Sequence, residues 1–166
     1  SIHGHTPGIV TGKPIELGGS LGRAEAPGRG AAVVGCRAVV DSGSTPDQST
    51  VAVQGFGAVG AAAAQTMFDN GAKVIAVSDV DGAIINTSGL DIPALLRIVL
   101  DGGSVSDYAD ADPLDNVDLL TLDCDLLIPA AIEDVITPEN APDVRASIIV
   151  EGANRPVTSV ADEILA

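Results

Sequence analysis

The run Val51-Ala52-Val53-Gln54 leads straight into Gly55-Phe56-Gly57-Ala58-Val59-Gly60, and no other feature restricts the fold of this chain as strongly. A short β-branched run, three glycines at fixed offsets and an alanine-rich segment from Ala61 to Phe68 closed by Asn70-Gly71 spell strand, turn and helix in that order. The glycines have separate tasks. Gly55 permits the tight turn, Gly57 lets backbone amides approach a pyrophosphate, and Gly60 lets the helix pack close to the strand. Phosphates would sit at the helix N-terminus, where unpaired N–H groups and the helix dipole favour negative charge. A second strand, Lys73 to Ser78, ends at Asp79, 24 residues beyond Gly55. That is near the spacing expected of an acid that holds a ribose 2′-hydroxyl. These elements together predict a dinucleotide-binding turn rather than a plain βαβ glycine turn. Its candidate residues are Gly55, Phe56, Gly57, Ala58, Val59, Gly60 and Asp79.

The remaining segments predict an α/β fold of the Rossmann-like, doubly wound kind, with a mostly parallel sheet and helices on both faces. Residues 1–22 read as a glycine- and proline-punctuated loop that links to whatever precedes them. Residues 28–41 read as a helix, with Pro27 in its first turn and Val33, Val34, Ala38 and Val40 available for an apolar face. Asp41 to Ser49 is a polar loop. Asp81-Gly82 makes a turn and Ala83-Ile84-Ile85 a short edge strand. Asp91 caps a helix over Pro93 to Leu100, which Gly102-Gly103 stops. The Asp-rich stretch from Ser104 to Asn116 reads as a surface loop, and Leu119 to Leu122 as a helical turn. Asp125 to Ile128 and Ser147 to Val150 are the third and fourth parallel strands, and the apolar run of the fourth suits a sheet buried on both faces. Thr158 to Leu165 closes the chain as a short helix. All 166 residues make one domain.

Only 2% of the residues are aromatic against 46% hydrophobic, so the core must be built from Val, Ile, Leu and Ala. No run reaches the length of a membrane span and no charged-then-apolar leader opens the chain, which reads as soluble and cytoplasmic. Cys36 and Cys124 lack histidines at ligand spacing and read as free thiols, not a metal site. His3 and His5 lie in a glycine-rich stretch and carry no catalytic pattern. The net charge of −15 argues against nucleic acid as a partner, since no basic patch is present to neutralise phosphates. Acidic residues are spread along the chain, and Lys13 and Lys73 are its two lysines. Such an acidic, lysine-poor surface resembles that of proteins from salt-loving organisms, where high salt screens self-repulsion.

Several strings then read together. Gly4-His5, Pro7-Gly8 and Val10-Thr11-Gly12-Lys13-Pro14 are followed by Gly18-Gly19-Ser20-Leu21-Gly22-Arg23 and Gly28-Arg29-Gly30. After the glycine turn come Ile128-Pro129-Ala130-Ala131 and Glu151-Gly152-Ala153-Asn154. In this order and spacing the whole chain resembles the cofactor domain of the glutamate dehydrogenase family (the Glu/Leu/Phe/Val dehydrogenases). The resemblance implies oxidative deamination of L-glutamate to 2-oxoglutarate and ammonia, with hydride passing to a nicotinamide cofactor. It also implies that Ala130, Ala131 and Asn154 lie near the nicotinamide and its ribose, at the carboxyl ends of strands. Ligands of open α/β sheets bind outside those ends, which agrees.

The departures are specific. Pro27 stands where the family usually has Thr, and Ala58 where it usually has Asn. Both positions are expected to touch the cofactor, and neither side chain can hydrogen-bond. Arg155 and Val157 replace the usual Gly and Thr. The lysine-bearing substrate domain and the catalytic aspartate have no match in these 166 residues, nor have the last strand and helices of the cofactor domain. The resemblance therefore implies a truncated, NAD-binding chain with no catalytic residue of its own, whose parent enzyme is a homo-oligomer. NAD is expected over NADP, because Asp79 and Asp81 have no arginine close in sequence to meet a 2′-phosphate. Two alternatives stay open: a stand-alone dinucleotide-binding or interaction module, and a dehydrogenase for another amino acid.

Overall fold

The computed structural model describes residues 13–166. Of the expected linking segment 1–22, the part up to residue 12, with His3, His5 and the strings before Lys13, lies outside the described residues. From Lys13 to Glu25 the chain is turns and a single 3-10 turn, Ile15–Leu17, as its glycines and prolines predict.

The ordered elements are α1 (Ala26–Asp41), β1 (Thr50–Gln54), α2 (Ala58–Asp69), β2 (Lys73–Ser78), β3 (Ala83–Ile85), α3 (Ile92–Leu100), β4 (Asp112–Leu114), α4 (Asn116–Leu119), β5 (Leu126–Pro129), β6 (Ile148–Ile149) and α5 (Ser159–Leu165). The strands form a single six-stranded sheet in the order β4-β3-β2-β1-β5-β6. β1 lies between β2 and β5 and is parallel to both, and β6 continues the parallel set beyond β5. β3 and β4 are added antiparallel at the far side.

Alternation along β1 and β5, and an irregularity in β2 that puts the adjacent Ile75 and Ala76 on the same side, build two cores. Val51, Val53, Val74, Val77, Leu126 and Ile128 face Ala31 and Ala32 of α1, Ala63, Ala64 and Met67 of α2, and Ile92 and Leu95 of α3. Ala52, Ile75, Ala76 and Leu127 face Leu119 of α4, Ala161 of α5 and Ile136 and Ala141. Both faces of the sheet are thus covered, which is why the parallel strands carry unbroken apolar runs. Local signals set the helix starts. Asp91 Oδ1 accepts the Ala94 N–H at 2.9 Å, and the Thr158 hydroxyl accepts the Ala161 N–H.

Two expectations need correction. β3 is an interior strand, because Ala83–Ile85 pairs on its outer side with β4, inside the stretch expected to be a surface loop. β4 was hidden by composition. It is an edge strand three residues long whose Asp112 and Pro113 are exposed, and an edge tolerates both charge and proline. The apolar face expected for α1 is also turned outward: Val33, Val34 and Val40 are exposed, while Gly28, Ala31, Ala32, Gly35 and Val39 are buried. The helix packs through its small residues because α2 and β5 lie so close. A methyl group at Gly35 would fall 2.8 Å from Leu126 Cδ2.

Candidate functional site

The order of strands reverses at β1, since the chain winds outward from it through β2 on one side and then returns to β5 on the other. The carboxyl ends of β1 and β5 therefore open a crevice at a topological switch point. The glycine turn leaves β1 there. Gly55 adopts φ +92°, a conformation that glycine takes without a Cβ clash. Its carbonyl is pressed against the start of α2, where a methyl at Gly60 would lie 1.8 Å from that oxygen. Its N–H is held by the Ser78 hydroxyl at 3.1 Å, in a buried hydrogen bond from the end of β2.

Gly57 is the N-cap of α2, and no side chain caps it. The first amides of the helix, from Ala58 to Gly60, have no intrahelical acceptors and point out of the turn. A Cβ at Gly57 would meet nothing within 4 Å. An uncapped helix N-terminus facing open space, with backbone bare of side chains, is the shape that a phosphate oxygen needs. Ala58 is exposed beside it and Val59 half-buried. Phe56 lies in the same turn. Its ring is 4% exposed and belongs to the core under α2, so only its backbone lies at the turn.

An open cleft of about 710 Å³ adjoins the turn. Pro27, Val59, Ala130, Ala131 and Asn154, all expected at the site, line it together with Arg23, Ile132, Glu133, Gly152 and Ala153. The volume suits a small organic ligand. Its floor is backbone fastened to strand ends: Ala130 N–H donates to Gln54 O at 2.8 Å, and Gly152 and Ala153 both donate to Pro129 O. Ala131 reaches the turn directly, since a methyl at Gly55 would fall 2.9 Å from its Cβ. Arg23 and Glu133 are the ionisable side chains of the lining. Ile132 stands 66% exposed on the rim.

That rim is stiffened by an unusual pair. Asp134 and Arg155 are the non-glycine residues with left-handed backbones among those described, at φ 54° and 49°. Asp134 N–H donates to Arg155 O at 3.0 Å, and the Arg155 guanidinium reaches the Asp134 carboxylate at 3.1 Å and Glu133 at 3.8 Å. The position where the resemblance leads one to expect glycine is therefore one where the backbone favours it.

Asp79 lies at the end of β2, as its spacing requires, and its carboxylate is already engaged. Oδ1 accepts the Asp81 N–H at 2.9 Å and Oδ2 the Val105 N–H at 2.8 Å. A carboxylate has about four acceptor positions, so capacity for ribose hydroxyls remains. Sequence reasoning missed Ser78 and Arg23. A serine closing an otherwise apolar strand was the available signal for the first. The second closes the glycine-rich run 18–23, which carries no chemical pattern of its own. Among the described residues both cysteines are free thiols, no cluster of His, Cys, Asp and Glu is arranged for a metal ion, and no helix is long and apolar enough to cross a membrane.

Comparison with known proteins bears on all of this. The family model described as Glutamate/Leucine/Phenylalanine/Valine dehydrogenase matches residues 18–166. An NAD-specific glutamate dehydrogenase A of Halobacterium salinarum is 49% identical over 162 residues, which are 97% of this chain and 37% of that protein. A glutamate dehydrogenase of Thermotoga maritima is 50% identical over 164 residues, 98% of this chain and 39% of the relative. Among solved structures, a hetero-hexameric glutamate dehydrogenase from Thermus thermophilus in its leucine-bound form superposes with a TM-score of 0.84 at 34% identity. The match covers 96% of this chain and 38% of that one. The chain therefore spans less than two-fifths of the length of these relatives.

Proposed function

This chain belongs to the Glutamate/Leucine/Phenylalanine/Valine dehydrogenase family, and from that premise we propose that it is the NAD-binding part of a glutamate dehydrogenase, able to hold the cofactor but not to deaminate glutamate by itself. The observation that carries this is the uncapped N-terminus of α2 opening beside a cleft lined by Ala130, Ala131 and Asn154.

In this reading the amides of Ala58, Val59 and Gly60 donate to the pyrophosphate, with Gly57 leaving room for it. Asp79 accepts from the adenosine ribose, and Ala130, Ala131 and Asn154 border the nicotinamide. When bound, the nicotinamide supplies a hydride acceptor. The chain's own residues orient it and hold its phosphates in fixed dipoles. Passing the α-hydrogen of an amino acid to that acceptor as hydride also needs a positioned base to take the amine proton and a clamp for the substrate. Among the described residues the ionisable groups of the cleft lining are Arg23 and Glu133, and the relatives extend well beyond the matched region. A second domain supplying the amino-acid site, assembly of the parent enzyme into an oligomer, a cytoplasmic location and a saline habitat all go with this reading. The net charge of −15 supports the last.

A second reading has its own observation. Pro27 lines the cleft without a hydrogen-bonding side chain and Ala58 is exposed without one, which suits a non-catalytic dinucleotide module. Isothermal titration in molar KCl tests both. Saturable binding of NAD, tighter than that of ADP-ribose, is expected. Equal affinity for the two favours the second reading, and no binding of either sinks both. Glutamate-dependent NADH formation by the pure chain would show that the chemistry was misplaced.

A further inference from the structure

We propose that Ser78 is a positioning residue of the dinucleotide turn, its hydroxyl fixing the Gly55 amide so that the first amides of α2 face the pyrophosphate. The inference rests on the NAD reading above and adds a residue to it. Among the described residues, the buried polar side chains are those of Ser49 and Ser78. Ser49 bonds locally, to Thr45 O four residues away. Ser78 instead reaches across to the neighbouring strand. The register pairs Val53 with Val77, which puts Ser78 level with Gln54 and one residue short of Gly55. Its Oγ accepts the Gly55 N–H at 3.1 Å, and the serine is 2% exposed.

The Gly55 N–H needs that partner. β1 ends at Gln54, and at φ +92° the chain turns out of the ladder, so the amide of a buried glycine has left its strand neighbours. A buried donor without an acceptor is strongly disfavoured. Filling the core does not demand serine here, since Val74, Ile75, Ala76 and Val77 of the same strand are apolar. The two ends of Gly55 are then held separately: the N–H by Ser78, the carbonyl by its close approach to Gly60. With both fixed, the direction in which Gly57 and the α2 amides emerge is set before a ligand arrives. Preorganisation of that kind raises affinity by removing the need to order the turn on binding.

The test compares two ligands on the 166-residue chain in molar KCl. NAD carries the pyrophosphate that the turn holds, whereas adenosine lacks phosphate and is followed by NMR shift perturbation. Ser78→Ala is expected to weaken NAD about tenfold and to leave adenosine unchanged, while Ser78→Thr, which keeps the hydroxyl, retains NAD binding. Should Ser78→Ala not fold, Ser78→Cys, near-isosteric and a poor acceptor, carries the same comparison. Wild-type NAD affinity in the hydroxyl-free variant, or equal loss of both ligands, overturns the inference while leaving the cofactor reading intact. Absence of NAD binding by the wild type overturns the cofactor reading and this inference with it. Gly55 amide exchange in the ligand-free protein is the independent check: slow in wild type and fast in Ser78→Ala supports the bond, and free exchange in wild type contradicts it.

Discussion

Gly28 on α1 lies against the backbone carbonyl of Val59 on α2, so near that a methyl group at residue 28 would sit 2.1 Å from the oxygen. Both neighbourhoods face the cleft, since Pro27 and Val59 line it. The contact is with backbone at the start of a helix, which has no rotamer by which to yield.

Gly28→Ala is therefore expected to destabilise the fold by about 1–3 kcal/mol through overpacking, and to weaken any ligand held at the α2 N-terminus. Urea unfolding in molar KCl measures the first effect. An unchanged midpoint would mean that α1 and α2 slide apart freely.

How much of this was legible in the sequence follows from where each signal resides. β1, α2 and β2 were readable because periodicity, glycine offsets and β-branching all act within a few residues. Capping by Asp91 and Thr158 was readable for the same reason. β4 was not, because a short edge strand with an exposed aspartate and a proline is stabilised by Ala83–Ile85 and not by its own composition. The inward face of α1 was misjudged because large apolar residues signal burial only when room exists, and the contact at Gly28 leaves none. At the site, the turn and Asp79 came from spacing, and Ala130, Ala131 and Asn154 came from resemblance. Ser78 required the register of β1 on β2, which no local pattern encodes.

The Cys124 thiol predicts an alkaline limit to stability. Burial pushes it from 9.0 up to about 11, with Asp125 and Asp123 adding to the rise and a backbone hydrogen bond from Ala52 opposing it. The folded pKa is raised, so its contribution is fully present below pH 9 and lost as pH rises toward 11, because the unfolded chain releases the proton first. A decline of about 2–3 kcal/mol across that window is expected from this thiol, with a smaller one from Cys36, which burial also raises. Urea midpoints between pH 8 and 11 check it. Cys124→Ala should flatten most of the slope, and an equally steep slope in that variant would contradict the assignment.

Salt should stabilise the chain. Among the described residues, Arg29 pairs with Glu25, Arg37 with Asp41, and Arg155 with Asp134 and Glu133, all on the surface. Exposed pairs of this kind contribute little, at most about 1 kcal/mol each. The net charge of −15 leaves most carboxylates to repel one another. Screening shortens from about 30 Å at 0.01 M to about 3 Å at 1 M, so thermal midpoints by circular dichroism are expected to climb from dilute buffer to molar KCl. A flat or falling series would rule out the halophilic reading of this surface.

NAD should bind in preference to NADP. Asp79 is anchored by the amides of Asp81 and Val105, and Asp81 follows it closely, so a 2′-phosphate would meet negative charge, that of Asp79 held in place. Parallel titrations with the two dinucleotides decide this, and equal or tighter binding of NADP would remove Asp79 from the ribose.

The central claim is that the turn from Gly55 to Gly60 holds a pyrophosphate against α2, and Gly57 offers the most direct measurement. Its φ of −75° suits any residue, and a Cβ there meets nothing within 4 Å. Gly57→Val should lower the unfolding free energy by no more than about 1 kcal/mol, the loss expected when a β-branched residue takes a helix N-cap. It should nevertheless abolish NAD binding in isothermal titration, because the side chain would fill the space that the phosphates need. Retention of wild-type NAD affinity by a folded Gly57→Val chain would contradict the account.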